Sequence, residues 1–583
     1  MKHIAKIMMT MLLAVASNIV AYAYDFTRMH DFEEGGIYYN ILSADERTCE
    51  VTYGNCAAGA YSGDVAIPAT VTHADTTYTV TAIGESAFYG CPELTSVSIP
   101  DCVTRIGKGA FYECVKLVPM ALPGGVTKID DYTFYGCRLF KSFTIPDVVT
   151  SVGRAVFYNC SELVHVVIPK GVTSINDYTF YGCTKLPTVD IPEGVTSIGK
   201  AAFHGCSELV SLVIPKGVTS IGDYAFRECV KLSSADIPDG VRSIGYGAFY
   251  KCASLTSLTI PEGVTSIGDW AFAHCEGLKS VTLPNSLTTI GAQAFCYGEG
   301  LESVTIPSNV ETIGMWAFYG CTRMTSLTIL GSVTSIGVKS FHGCSALTTL
   351  TLPKHMAGIG DYAFIECKSL AAVDLPDSET NLGIGIFVWC TSLTSVVIPD
   401  GWTRTPTGLF YCCTGIKSAT LPNSLTKIGN QLFGNCPALT SIDIPNSVTT
   451  IGHHAFSDCT SLTSITLPEN VTAIDTMAFF GCTSLKEFIS LNATPPAVAD
   501  SIFGEETLTS GTLYVPAAAV DAYASADRWK EFLNIKPLDP TGITAAAAET
   551  HRKTAKAYTL QGTAATRGRK GIVVRDGKKM IKE

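Results

Sequence analysis

The sequence predicts an α/β repeat solenoid whose short strands stack into one parallel sheet. Three observations predict it. Phenylalanine recurs every 23 residues from Phe88 to Phe479, 18 copies without insertion or deletion. Cysteine follows three residues later in every copy except the one where Gly298 takes its place. Between successive Cys-bearing turns runs the apolar pattern L-x-x-[V/I/L]-x-[I/L]-P, as in Leu278, Val281, Leu283 and Pro284. A fixed internal period takes precedence over length, which alone would suggest several ordinary domains.

Each part of the unit has a physical reason. In Leu255-Thr-Ser-Leu258-Thr-Ile260, residues 258 and 260 lie two apart, so they share one side of a strand while Thr259 faces outward. Pro261 ends the strand because it has no N–H for a ladder. The following Gly-Val-Thr-Ser-Ile-Gly turns the chain, and the Ala-Phe segment is expected to form a short helical or 3₁₀ stretch on the opposite side. One such unit buries too little to stand alone, so units must stack at about 4.8 Å per coil.

The unit resembles the BspA-like class of bacterial leucine-rich repeats, and the resemblance implies a leucine-rich-repeat arc over residues 81–489. The lead-in over 24–80, with Gly36-Ile-Tyr-Tyr-Asn-Ile41 and Tyr78-Thr-Val-Thr-Ala-Ile83, is similar to the strand-rich cap of that class. Residues 490–540, with Leu513-Tyr-Val-Pro516 and Trp529-Lys-Glu-Phe532, resemble its closing cap. Caps are required because end coils would otherwise expose apolar faces and open edges.

The two termini suggest export. Lys2 and Lys6 precede an apolar run from Ile7 to Val20 and the triplet Ala21-Tyr22-Ala23, the layout of a signal peptide over 1–23 cleaved near Ala23. That run is too short for a membrane span, and no later segment is long enough, so the mature chain is expected to be secreted or on the cell surface. Residues 541–583 form a linker and a basic tail. Its end, Tyr558-Thr-Leu-Gln-Gly562 with Lys570-Gly-Ile-Val-Val, is similar to the C-terminal sorting tails of type IX secretion substrates, although Val573 stands where those tails carry an aromatic residue. A formal net charge of −11 with 16% charged residues excludes an extended basic face, and with it a nucleic-acid binder.

Of 22 cysteines, 17 occupy one repeat position. They should line up as a column of buried thiols, because parallel Cβ atoms about 4.8 Å apart lie outside disulfide geometry. Cys49 and Cys56 in the lead-in are the pair expected to form a disulfide. No zinc spacing, catalytic triad, HExxH or P-loop is present, so neither a cofactor nor an enzymatic activity is expected. His204 and His342 replace a recurrent tyrosine and are read as variants of a structural position.

A longer, 46-residue period is superposed. Three residues before the Phe the charge alternates through Lys108, Asp131, Arg154, Asp177, Lys200 and Asp223, which predicts Lys200 beside both Asp177 and Asp223. The residue after the strand-ending Pro alternates likewise. Two residues before the Phe come Tyr132, Tyr178, Tyr224, Trp270, Trp316 and Tyr362, again in alternate coils.

For ligand binding two surfaces stand out. Strand positions facing outward carry hydroxyls, such as Thr325, Ser326 and Thr328, interrupted by Asp190, Asp236, Asp374 and Asp443. Between Phe387 and Phe410 the usual Ser-Ile-Gly becomes Arg404-Thr-Pro406, and Trp389, Trp402 and Tyr411 gather there. Trp, Arg and Tyr dominate interface energetics, so Trp389, Trp402, Arg404 and Tyr411, with Trp270 and Trp316, are the candidate ligand-binding residues. The resemblance implies an adhesin-like binding protein for host extracellular proteins or other cell-surface molecules. A glycan-binding surface protein and a structural coat component are the alternatives.

Overall fold

The computed structural model describes residues 30–54, 60–331, 333–379, 381–538 and the tail strands 558–559, 571–575 and 578–582. The proposed signal peptide and its cleavage site lie outside them. The chain groups into two compact units, residues 1–278 and 279–583.

In the first unit the lead-in strands Phe32–Glu34, Ile37–Ser43 and Thr48–Thr52 pair antiparallel. Thr48–Thr52 then pairs in parallel with Thr76–Ile83, which in turn pairs with Arg105–Ile106 of the repeat. The cap thus converts an antiparallel meander into the parallel stacking that the coils continue.

Each coil contributes to two strand rows, where the sequence pointed to one sheet. One row holds the expected segments, such as Ser211–Val213 beside Ser234–Asp236. The other is built from the Ser-Ile pair within the segment expected only to turn the chain: Ser174–Ile175, Ser197–Ile198 and Ser220–Ile221 pair in parallel with a 23-residue offset. In the second unit the same two rows recur, with Ser303–Ile306 on Ser326–Ile329 and Thr312–Ile313 on Ser335–Ile336. Proline interrupts the first row: no strand forms around Pro119 or Pro187, whose nitrogens carry no hydrogen.

The expected helical segment is absent from the described coils. The Ala-Phe stretch is a turn, and among the described residues helix occurs only in the closing cap, at Glu505–Ser510 and Val520–Ser525 with two 3₁₀ turns. The fold is therefore a parallel β-solenoid with little helix. The reason lies in the backbone of the turn. The residues two before and two after each Phe adopt left-handed φ, as at Tyr132 (59°), Gly136 (73°), Tyr178 (59°) and Gly182 (68°). This conformation breaks a helix but swings alternate amides along the stack. Ser86, Phe88 and Gly90 donate their N–H groups to the carbonyls of Lys108, Ala110 and Tyr112 in the next coil at 2.9, 2.8 and 2.7 Å. The turn face is thereby a third coil-to-coil ladder.

The interior is built from columns. The repeat phenylalanines stack, with ring centroids 5.1 Å apart and planes within 4° for Phe88 and Phe111, and 5.2 Å and 3° for Phe318 and Phe341. In sixteen coils the ladder cysteine donates its thiol to the carbonyl of the preceding coil's Phe at 3.0–3.4 Å. Cysteine is thus more than a small filler, since its S–H bonds a buried carbonyl. Burial raises the thiols of Cys137 and Cys229 well above the ordinary value and those of Cys275 and Cys482 to about 12. The folded protein should leave them unmodified by an alkylating agent at pH 8, with labelling on denaturation without reductant. Mass spectrometry showing disulfides between successive ladder positions would contradict the column. Cys49 is buried with its thiol 3.7 Å from the Thr79 carbonyl, and Cys56 lies outside the described residues.

In the second unit, the closing cap adds strands Glu487–Ser490, Thr512–Val515 and Ile535–Pro537 to the first row, and Ala497–Val498 to the second. Trp529 seals the last coil, its indole N–H donating to the Pro496 carbonyl at 3.0 Å. The tail strands Tyr558–Thr559, Gly571–Arg575 and Lys578–Lys582 form a three-stranded antiparallel sheet.

Candidate functional surface

Trp402 is a core residue, which corrects its reading as a ligand contact. It sits in register with Val310, Val333 and Val448, is fully buried, and donates its indole N–H to the Pro376 carbonyl at 3.0 Å. The preceding coil supplies the reason. Glu379 stands at the valine position there, and its carboxylate turns to accept the N–H and hydroxyl of Thr403 at 3.1 and 2.6 Å. Tryptophan fills the space next to a core position that holds no apolar side chain.

Arg404 is exposed at the edge of the second strand row, where it keeps a single bridge to Lys427. The next residue, Thr405, replaces the usual Ile, and its hydroxyl accepts the Gly429 N–H at 2.8 Å. In a regular coil that amide goes to the Ile carbonyl, as Gly452 does to Ile428 at 2.9 Å. Trp389 and Tyr411 lie on the turn face of adjacent coils, joined by the Trp389 N–H to the Tyr411 carbonyl at 3.1 Å. The aberrant coils therefore bring Trp389 and Tyr411 together, place Arg404 on another face, and internalise Trp402.

Trp270 in the first unit and Trp316 in the second occupy the left-handed position two before the Phe, at φ 60° and 61°, and Trp389 occupies the other left-handed position at 62°. These three are the tryptophans that reach solvent among the five of the chain, since Trp402 and Trp529 are buried. Trp316 stacks on Tyr319 at 4.8 Å, with the Lys339 ammonium 5.2 Å above its ring. Trp270 meets Tyr250 edge-on at 5.8 Å.

The hydroxyl-rich strand face resolves into two kinds of column. Thr325 and Thr348 donate their hydroxyls to the carbonyls of Glu302 and Thr325 in the preceding coils at 3.2 and 3.3 Å, a structural use. Thr305, Thr328 and Thr351 are exposed, and their hydroxyls make no hydrogen bond among the described residues.

The charge columns need correction. The aspartates before the aromatic residues serve the backbone: Asp177 Oδ1 accepts the Lys200 N–H at 2.7 Å, and Asp131 does the same for Arg154 at 2.7 Å. No ion pair joins Lys200 to Asp177 or Asp223 among the described residues. A fixed backbone amide is the better partner, because it costs no side-chain ordering. Direct pairing occurs instead five residues after the Phe, in Glu93–Lys116 (2.6 Å), Glu162–Lys185 (2.7 Å) and Glu208–Lys231 (2.6 Å). Sequence reading missed this column although the alternation Glu162, Lys185, Glu208, Lys231 was visible.

Five half-buried tyrosines, Tyr89, Tyr112, Tyr135, Tyr158 and Tyr181, stack with centroids 4.3–4.9 Å apart. His204 follows in that column with its ring 4.5 Å from Tyr181 and tilted by 48°, as expected for a variant of a structural position. Its Nε2 lies 3.6 Å from Glu228, which also faces Arg227 at 3.2 Å and Lys251 at 3.8 Å. His204 foremost, and Arg227 after it, hold the Glu228 carboxyl down from 4.5 to about 2 against the opposing effect of burial. A depressed acid stabilises the fold above its unfolded value, and that contribution is lost as pH falls from about 4.5 through about 2. His204→Ala should therefore lower the melting temperature near neutral pH and flatten its acid limb. An unaltered melting profile from pH 7 down to 2 would rule out the contact.

Among the described residues no group of three or more His, Cys, Asp or Glu is placed to hold a metal ion. No described helix is long and apolar enough to cross a membrane.

Stacked parallel coils with a Leu-x-x-apolar strand and a buried Phe-Cys turn define a leucine-rich-repeat solenoid. The chain matches the profile of the BspA type leucine-rich repeat region (6 copies) over residues 81–210, 196–325, 311–439 and 380–509, and it belongs to that family. It is similar to a solved leucine-rich repeat protein from Bacteroides ovatus, with 25% identity over 88% of this chain and 100% of that one and a TM-score of 0.34. A leucine-rich cell surface protein from Faecalibacterium prausnitzii is 27% identical over 79% of this chain and 94% of that one, TM-score 0.30. The pneumococcal vaccine antigen PcpA is 16% identical over 72% and 92%, TM-score 0.36. A search of curated proteins returns no match.

Proposed function

We propose that the chain is an exported, non-enzymatic scaffold on the cell surface that binds extracellular proteins or cell-surface molecules in the manner of an adhesin. One observation carries this reading. The interior Phe and Cys columns barely change from coil to coil, whereas the outward positions of the same turns vary and expose large rings, with Trp389 45% accessible at a left-handed residue. A bulky side chain in that conformation costs about 1 kcal/mol or more relative to glycine, which serves at the same position in other coils. The cost is unrelated to coil stacking, so the ring has another use. Trp389 with Tyr411, Arg404 on its separate row, Trp270 and Trp316 are the contacts we assign to ligand.

The amino-terminal apolar segment ending at Ala23 and the sorting-type tail over 541–583 support passage across the envelope and retention at the surface. The test is capture of extracellular-matrix proteins on an array by the chain beginning at Tyr24. Binding should fall tenfold or more in Trp389→Ala at an unchanged melting temperature. Absence of capture for any matrix protein would refute the adhesin reading.

A further inference from the structure

Resting on the reading of the chain as a surface binding scaffold, we propose that the turn face of the first unit binds a neutral, β-linked polysaccharide chain laid along Tyr132, Tyr178, Tyr224 and Trp270. These rings occupy one position in alternate coils and are all half-buried. They therefore recur every two strand spacings, about 9.6 Å. All four have left-handed backbones, φ 57–60°. The coils between them carry the buried residues Ala155, Ala201 and Gly247 at the same position. A Cβ on Gly247 would come within 3.0 Å of two carbons of the Tyr224 ring, so that ring lies over the next coil and the small residue makes room for it. The alternation of large and small is thus a packing arrangement that keeps a ring at the surface in every second coil.

An aspartate precedes each ring. Oδ1 of Asp131, Asp177 and Asp223 is fixed by a backbone N–H of the next coil at 2.7, 2.7 and 2.8 Å, and the second oxygen has no protein partner among the described residues. A positioned acceptor therefore stands beside each of these three rings. Lys200 and the Arg154 guanidinium, which also donates to the Tyr132 hydroxyl at 3.3 Å, supply donors in the coils between, and the Arg227 guanidinium, paired on one side with Glu228, lies 5.4 Å above Tyr224. Acid and base alternate from Asp131 through Arg154, Asp177 and Lys200 to Asp223, and where Tyr246 takes the place of the next base Arg227 stands over Tyr224, so a ligand of one charge gains on one coil much of what it loses on the next. A neutral polyhydroxylated chain instead meets an apolar ring, an acceptor and a donor in each period. In a β-1,4-linked chain successive sugars are turned over, so the same face and hydroxyls return at every second sugar, a repeat of the same order as two coils.

The chain beginning at Tyr24 should be retarded in native gels containing hydroxyethyl cellulose. In calorimetry with cello-oligosaccharides, affinity should rise with each added disaccharide until the four rings are spanned. The double variant Tyr132→Ala, Tyr178→Ala should weaken binding tenfold or more at an unchanged melting temperature, because Ala155 and Ala201 already occupy that position in neighbouring coils. Val213→Ala, exposed on the strand row of the same unit, should leave it unaltered. Absence of retardation, affinity independent of oligosaccharide length, or equal retardation by dextran would overturn the proposal. A chain that captures a matrix protein but ignores the glucan fails here alone, whereas one that captures neither fails the scaffold reading as well.

Discussion

Trp402→Ala is expected to lower stability by about 3–5 kcal/mol, the range for deleting a large buried aromatic side chain. Here two losses add. The indole leaves a cavity at a position where the preceding coil offers Glu379 instead of an apolar neighbour, and the Pro376 carbonyl loses the indole N–H at 3.0 Å. Val, the residue of regular coils, should recover little, because it reaches neither the carbonyl nor the space beside Glu379. Chemical denaturation of Trp402→Ala and Trp402→Val measures both effects, and a loss under 1 kcal/mol would return Trp402 to the surface. Binding to a matrix protein should be unchanged at temperatures where the variant remains folded, in contrast to Trp389→Ala.

Phe341→Ala should cost a similar amount, about 3–5 kcal/mol, but its signature should differ. Phe341 is fully buried between Phe318 at 5.2 Å and Phe364 at 5.1 Å. Its carbonyl still accepts the Cys367 thiol at 3.4 Å, so the backbone ladder survives and only the ring column is cut. Coils touch only their neighbours, so the loss is local and cooperativity should break at that point. Hydrogen exchange should show faster opening centred on the coil of Phe341, with coils near Phe456 retaining native protection. Uniform acceleration across the second unit would mean that the stack unfolds as one body.

Much of this architecture was legible because each coil repeats the same solution. The spacing of Phe and Cys gave the coil length, and the Leu-x-x-Val/Ile pattern gave the first strand row. The second row was hidden because Ser-Ile is only two residues long, too short for strand alternation to show. The left-handed turn was obscured by Tyr132, Tyr178, Trp270 and Trp316, residues that do not signal positive φ. Its mark was the glycine recurring at Gly136, Gly182, Gly205, Gly320 and Gly343, two residues after the Phe. Trp402 was misplaced by residue type, although its register with Val310 and Val333 identified a core site. The charged columns were read as pairs of side chains, and the backbone amide that Asp177 actually binds left no trace in composition.

The turn ladder has an electrical consequence. In each coil the three donating amides, as at Ser86, Phe88 and Gly90, all point toward the carboxyl-terminal neighbour. Their dipoles add along the column, unlike those of strands, which largely cancel. Within each unit such a column carries partial positive charge toward its carboxyl-terminal coil and partial negative charge toward its amino-terminal coil, the reverse of an α-helix. The closing cap answers this by offering the Ile502 carbonyl to the Phe479 N–H at 2.9 Å. A chain cut before Ile502 would leave the Phe479 amide at the end of this column without its acceptor.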